Sequence, residues 1–126
     1  MKLAYVDTSC LVAIVLGEPG ATAVESRFRK LDRLFASNLL EAELRSTLVR
    51  EDVRIGDGLL SQITWVFPDR PLTGELLRIT SLGYLKGADL WHLACALFLQ
   101  PDPQRLVFLT LDKRQGEIAE KLGFAR

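Results

Sequence analysis

The sequence predicts an α/β fold with a central parallel sheet covered by helices on both faces. Two patterns carry that expectation. The first is four short runs, apolar throughout: Leu3-Ala4-Tyr5-Val6, Leu34-Phe35-Ala36, Trp65-Val66-Phe67 and Leu106-Val107-Phe108-Leu109. They alternate with longer stretches of helical spacing. A strand buried on both faces of a sheet reads as such a run. The second is the pair of acids, Asp7 and Asp112, at the carboxyl ends of the first and last runs. Ligands of open α/β sheets collect outside those strand ends.

Taken in order, residues 2–6 form a buried strand, and Asp7-Thr8-Ser9 offers oxygens for the start of a helix. That helix continues through Leu11 to Leu16 until Gly17 and Pro19-Gly20 stop it. A second helix runs from about Ala21 to Leu31, and a strand follows at Leu34-Phe35-Ala36. Ser37 or Asn38 caps a third helix reaching about Glu51. Gly56-Asp57-Gly58 breaks the chain, Leu59, Leu60 and Ile63 resume at helical spacing, and Trp65-Val66-Phe67 reads as a strand closed by Pro68 to Pro71. Thr73 to Leu82 and Ala88 to Leu99 are helices, the second ended by Pro101 and Pro103. Leu106 to Thr110 is the clearest strand, and Asp112 to Leu122 is the last helix, with Gly123 suited to its end. The apolar stretch 59–67 reads first as core and second as a contact surface.

The 126 residues suit one domain, 1–126, with a core of its own. Hydrophobic residues at 48% and charged residues at 25% match a soluble globular chain. No run approaches the ~20 apolar residues of a membrane span, and Asp7 and Glu18 interrupt the start too early for a secretory signal. Cys10 and Cys95 sit in apolar contexts and are expected as buried free thiols of a cytoplasmic protein. Sixteen basic and sixteen acidic residues cancel, so net charge gives no argument for a nucleic-acid partner. The basic runs Arg27, Arg29, Lys30, Arg33 and Arg45, Arg50, Arg54 read as solvated faces.

Four acids carry the functional reading, and each has an ordinary alternative. Asp7 stands between strand and helix and serves equally as a cap, unless Thr8 or Ser9 takes that role. Glu43 falls in angle between Leu39 and the stripe Leu40, Leu44, Leu48, hence on the inward side of its helix, whereas Glu41 falls just outside. Its alternative is a salt bridge at the edge of the core, with an arginine for partner. Asp89 opens a helix apolar all round, where an acid also complements the helix dipole. His92, three residues on, shares its face and reads as a hydrogen-bonded core histidine before a metal ligand. Asp112 with Gln115 has the spacing of a capping box, and Thr110 lies within reach of the same region.

Four carboxylates gathered by the fold are harder to explain away than each alone. Two of them ~4 Å apart repel by about 4 kcal/mol at an effective dielectric of 20. Such a cluster asks for a cation, and oxygen-only donors select Mg²⁺ or Mn²⁺. One histidine and two distant cysteines make no zinc site, and no dinucleotide or phosphate-binding glycine loop is present.

The chain resembles the PIN-domain proteins, specifically the VapC-type toxins of toxin–antitoxin pairs. The carrying motifs are Val6-Asp7-Thr8-Ser9, then Leu40-Glu41-Ala42-Glu43-Leu44 with Arg50 following. Gly87-Ala88-Asp89-Leu90-Trp91-His92-Leu93-Ala94-Cys95-Ala96 comes next, and Leu109-Thr110-Leu111-Asp112 with Gly123 closes the set. The resemblance spans nearly the whole chain. It departs at Leu90-Trp91, bulkier than usual at those places. It implies a three-layer α/β/α PIN-like domain and a Mg²⁺- or Mn²⁺-dependent endoribonuclease, a homodimer inhibited by a small VapB-type antitoxin. It also implies that Asp7, Glu43 and Asp89 hold the metal, with Asp112 as fourth acid and Thr110 as supporting hydroxyl. Ser9, beside Asp7, is taken as a second supporting hydroxyl.

On that reading a metal-activated water hydrolyses an RNA phosphodiester, single-stranded RNA being the more accessible substrate. The alternative is a PIN-like module that binds RNA or protein without cutting. A phosphoacceptor signalling domain wants adjacent acids after the first strand, whereas Val6 precedes Asp7 here. A purely structural protein would leave the acids as caps and salt bridges, indifferent to chelation.

Overall fold

A computed structural model describes residues 1–126. Its four strands are β1 (Leu3–Val6), β2 (Arg33–Ser37), β3 (Ile63–Val66) and β4 (Val107–Leu109). Its helices are α1 (Thr8–Leu16), α2 (Ala21–Phe28), α3 (Leu39–Arg50), α4 (Gly58–Ser61), α5 (Thr73–Thr80), α6 (Gly87–Leu99) and α7 (Lys113–Leu122), with a 3₁₀ turn at Pro103–Arg105. The strands form one parallel sheet in the order β3-β2-β1-β4. Tyr5 is in register with Phe35 on one side and with Phe108 on the other.

Period-two alternation along the strands divides the core into two layers. Tyr5 and Phe108 face one side, where Leu93, Leu97, Ile79 and Ile118 from α5, α6 and α7 pack on them. Ala4, Val6, Ala36 and Leu109 face the other, against Leu11, Val24, Leu40 and Leu44 from α1, α2 and α3. The sheet is thus covered on both faces, which is why its strands are mostly apolar, with Arg33, Ser37 and Thr64 the polar members. Cys10 and Cys95 are buried free thiols in these two separate layers. No helix is long and apolar enough to cross a membrane.

Two helix ends show how local sequence sets the boundaries. α1 stops at Gly17 and α7 at Gly123, with φ of 65° and 98°. Both lie in the left-handed region that glycine occupies without a Cβ clash.

One stretch departs from the sequence expectation. Ile63 belongs to β3, pairing with Leu34, rather than to the helix of Leu59 and Leu60, and Phe67 lies past the strand end, 64% exposed. A short apolar run does not distinguish strand from helix by periodicity. Here four parallel pairings with β2 decide it. Ile63 and Val66 are core, and Leu59, Leu60 and Trp65 pack partly buried against it.

The order β3-β2-β1-β4 matters most for function. The chain passes from β1 to β2 on one side, and β4 arrives on the other, so the connections diverge at the carboxyl ends of β1 and β4. Such a switch point leaves a crevice that no crossover fills.

Candidate active site

An open pocket of about 510 Å³ lies at that crevice. Asp7 reaches it from the end of β1, Glu43 from α3, Asp89 from the first turn of α6, and Asp112 from the residue before α7. All four acids singled out in the sequence line this one pocket. Glu18, in the turn after α1, lines it too, so five carboxylates line the pocket with no lysine or arginine among its lining residues.

Asp7 is 3% exposed. Its backbone amide donates to the Leu109 carbonyl at 3.0 Å, which carries the β1–β4 pairing up to the site. It occupies the residue before α1, yet its carboxylate makes no capping hydrogen bond. Instead Oδ1 accepts from Ser9 Oγ at 2.6 Å and Oδ2 from Thr110 Oγ1 at 2.8 Å. Burial pushes the Asp7 carboxyl above its ordinary range, and the two hydroxyls offset this only in part.

Thr110 is the hinge of a larger network. Its Oγ1 accepts from the Asp112 amide at 2.9 Å and lies 2.9 Å from Gln115 Oε1. Gln115, fully buried, donates through Nε2 to the Asp89 carbonyl at 3.1 Å. Its amide donates to Asp112 Oδ1 at 2.7 Å, the capping bond expected from the sequence. Gln115 therefore ties together the backbone of Asp89, the hydroxyl beside Asp7 and the cap of α7. Only its capping spacing is visible in the sequence.

Glu43 is half-buried and has no arginine partner. Oε1 accepts from Thr8 Oγ1 at 2.7 Å and from His92 Nε2 at 2.8 Å. Burial pushes its carboxyl up, but these two donors outweigh it and hold the group below its ordinary range. Glu41, on the outer side, pairs with Arg45 one turn on. Asp89 has no such donors. Partial burial raises its carboxyl, and the charges of Asp112 and Glu43 raise it further. That repulsion marks the carboxylates as electrostatic neighbours in need of a counter-charge.

The donor set fits a hard divalent cation. Every candidate ligand is a carboxylate oxygen, which suits Mg²⁺ or Mn²⁺, and the two cysteines lie in separate core layers away from the pocket. No three of these side chains stand together as a finished cage. Mg²⁺ needs none, because it keeps several waters and binds through one or two carboxylates.

A parallel α/β sheet with an acid pocket at its switch point defines a small acid-site α/β protein. The PIN-domain family matches residues 4–121, and the chain belongs to that family. Its fold is of nuclease type, and PIN domains are generally metal-dependent nucleases that use divalent ions. No curated protein and no solved structure gives a significant match to the chain.

Proposed function

We propose that this chain, as one domain over residues 1–126, is a metal-dependent endoribonuclease that hydrolyses RNA phosphodiester bonds and serves as the toxin of a VapBC-type pair. The observation that carries the enzymatic part is the convergence of Asp7, Glu43, Asp89 and Asp112, from four separate segments, on one pocket at the sheet's switch point. The toxin role, the VapB-type antitoxin and the homodimer rest on the order of the chain's motifs and its resemblance to VapC-type toxins.

Asp7 and Asp89 would be the principal ligands of Mg²⁺ or Mn²⁺, with Asp112 completing the charge. The cation, when bound, supplies Lewis acidity toward the phosphate and makes a water more acidic. Asp7 is the fixed member, because Ser9 and Thr110 each hold one of its oxygens. Glu43, held ionised by its two donors, would complete the cation's ligand set, directly or through a water, and take the proton that the attacking water sheds. Its Oε2, which has no protein partner, is the oxygen suited to that proton. The excess negative charge of the empty-handed acids also repels RNA until a cation neutralises it, which couples substrate entry to metal binding.

The test is cleavage of single-stranded RNA in Mg²⁺ or Mn²⁺, with and without EDTA, by wild type, Asp7→Asn and Asp89→Asn. Cleavage that requires metal and is lost in both variants is the expected result. Cleavage in EDTA, or full activity in both variants, overturns the mechanism. A folded, metal-binding protein that cuts no RNA makes it a binding module instead.

A further inference from the structure

The pocket's only non-carboxylate titratable side chain, His92, is anchored from behind by a buried chain of hydrogen bonds. The Ser37 amide, at the end of β2, lies 3.0 Å from the Tyr5 hydroxyl oxygen. A backbone N–H can only donate, so the Tyr5 oxygen accepts from it. The Tyr5 hydroxyl proton is then free to donate to His92 Nδ1, 2.8 Å away. A neutral imidazole whose Nδ1 accepts carries its proton on Nε2. That nitrogen meets Glu43 Oε1 at 2.8 Å. Donors and acceptors agree at every step when Nδ1 is the bare nitrogen of the ring.

The chain is rigid. Tyr5 and Ser37 are fully buried and His92 is 1% exposed. The Tyr5 ring stacks on Phe108 at 5.5 Å and meets His92 edge-on at 5.8 Å. Glu43, by contrast, extends from a surface helix with its side chain 32% exposed, and left alone it would move among rotamers. Thr8 and His92, from α1 and α6, both bond its Oε1. One oxygen is thereby fixed to the scaffold, and Oε2 is left without a protein partner.

We propose that Tyr5 and His92 are positioning residues that hold Glu43 in the acid pocket, transmitting the fixed geometry of the β2 backbone to one carboxylate oxygen. The proposal rests on the metal-site reading above and assigns two residues that act through Glu43. In that tautomer His92 is neither ligand nor base: one ring nitrogen carries a proton and the other accepts one, so neither has a free lone pair.

The test compares Mn²⁺ affinity, by electron paramagnetic resonance, among wild type, Tyr5→Phe, His92→Leu, His92→Gln, Glu43→Gln and the His92→Leu/Glu43→Gln double variant, each confirmed folded by circular dichroism. Residues that orient a metal ligand are worth about 10–100-fold in affinity. His92→Leu is expected to weaken Mn²⁺ binding about tenfold, at the low end of that range because a single ligand is affected. His92→Gln, whose side-chain amide restores a donor, recovers most of the loss. Tyr5→Phe, remote from the pocket, weakens binding in the same direction. In the Glu43→Gln background His92→Leu has no further effect. Independent losses in the double variant, or no rescue by glutamine, overturn the proposal. Ring ¹⁵N shifts of His92 in metal-free protein give a separate readout. A protonated Nε2 and bare Nδ1 are expected, and the opposite tautomer overturns the proposal whether or not Mn²⁺ binds. Wild type that binds no Mn²⁺ overturns the metal reading, while the ring spectrum still decides the hydrogen-bond chain.

Discussion

Asp7→Asn is expected to make the metal-free protein more stable while removing its response to metal. The substitution deletes a charge from a site 3% exposed. Asparagine can still meet every neighbour. Its oxygen accepts from Ser9, and its amide donates to Thr110, whose own proton turns to Gln115 Oε1, 2.9 Å away. No capping bond is lost, because Asp7 makes none. A buried carboxylate carries an effective penalty of several kcal/mol, and two charge-assisted hydrogen bonds return about 1.5–3 kcal/mol each. The two figures are of similar size, and the raised Asp7 carboxyl shows that burial wins, so the balance left to relieve is small, on the order of 1 kcal/mol. With an unfolding entropy of about 2.1 cal/mol/K per residue, a chain of this size gains ~4 °C in Tm. Saturating Mn²⁺ at about 100 times Kd stabilises wild type by about 2.7 kcal/mol, or ~10 °C, and the variant hardly at all. Differential scanning calorimetry in EDTA and in Mn²⁺ should therefore show the variant ahead without metal and wild type ahead with it. A variant that melts below wild type in EDTA would show that Asp7 is a structural acid, and equal gains in Mn²⁺ would show that it is no ligand.

The gap between the two proteins in EDTA should depend on pH. The Asp7 carboxyl is raised above 3.8, so wild type pays nothing for it at lower pH and loses stability as pH rises through the raised value. The advantage of Asp7→Asn should therefore fade as pH falls toward 4, measured by thermal melts from pH 7 downward. Asp112→Ala removes the acceptor of the Gln115 amide and should cost about 1 kcal/mol. Asp112→Asn keeps the cap and should leave Tm nearly unchanged while still lowering RNA cleavage, which separates cap from charge. Gln115→Leu removes the donor to the Asp89 carbonyl and should lower Tm by ~4 °C, for about 1 kcal/mol of lost hydrogen bonding.

Much of the fold was legible because a parallel sheet buried on both faces writes its strands as near-continuous apolar runs. β3 starts two residues earlier and ends one earlier than the apolar run 65–67, because Ile63 suits helical spacing from Leu59 and Leu60 equally well, and only pairing with Leu34 assigns it to the sheet. The acids at strand ends were legible through topology, and Glu43 through its inward angle on α3. Their surroundings were not. Asp7 meets Thr110 across 103 positions, and Tyr5 meets His92 across 87, with no local pattern to announce either contact. Glu18 follows a helix-ending glycine and looks like any exposed loop acid, yet it lines the same pocket. The capping reading of Asp7 failed for a physical reason: two hydroxyls outside the cap geometry already hold its oxygens.

The central claim is that Asp7, Glu43, Asp89 and Asp112 form one cation site. Anomalous diffraction from crystals grown with Mn²⁺ tests it most directly. The expected result is an anomalous peak in the pocket with Asp7 and Asp89 among its contacts, lost in crystals of Asp7→Asn. A peak elsewhere on the molecule, or none at saturating Mn²⁺, would contradict the claim.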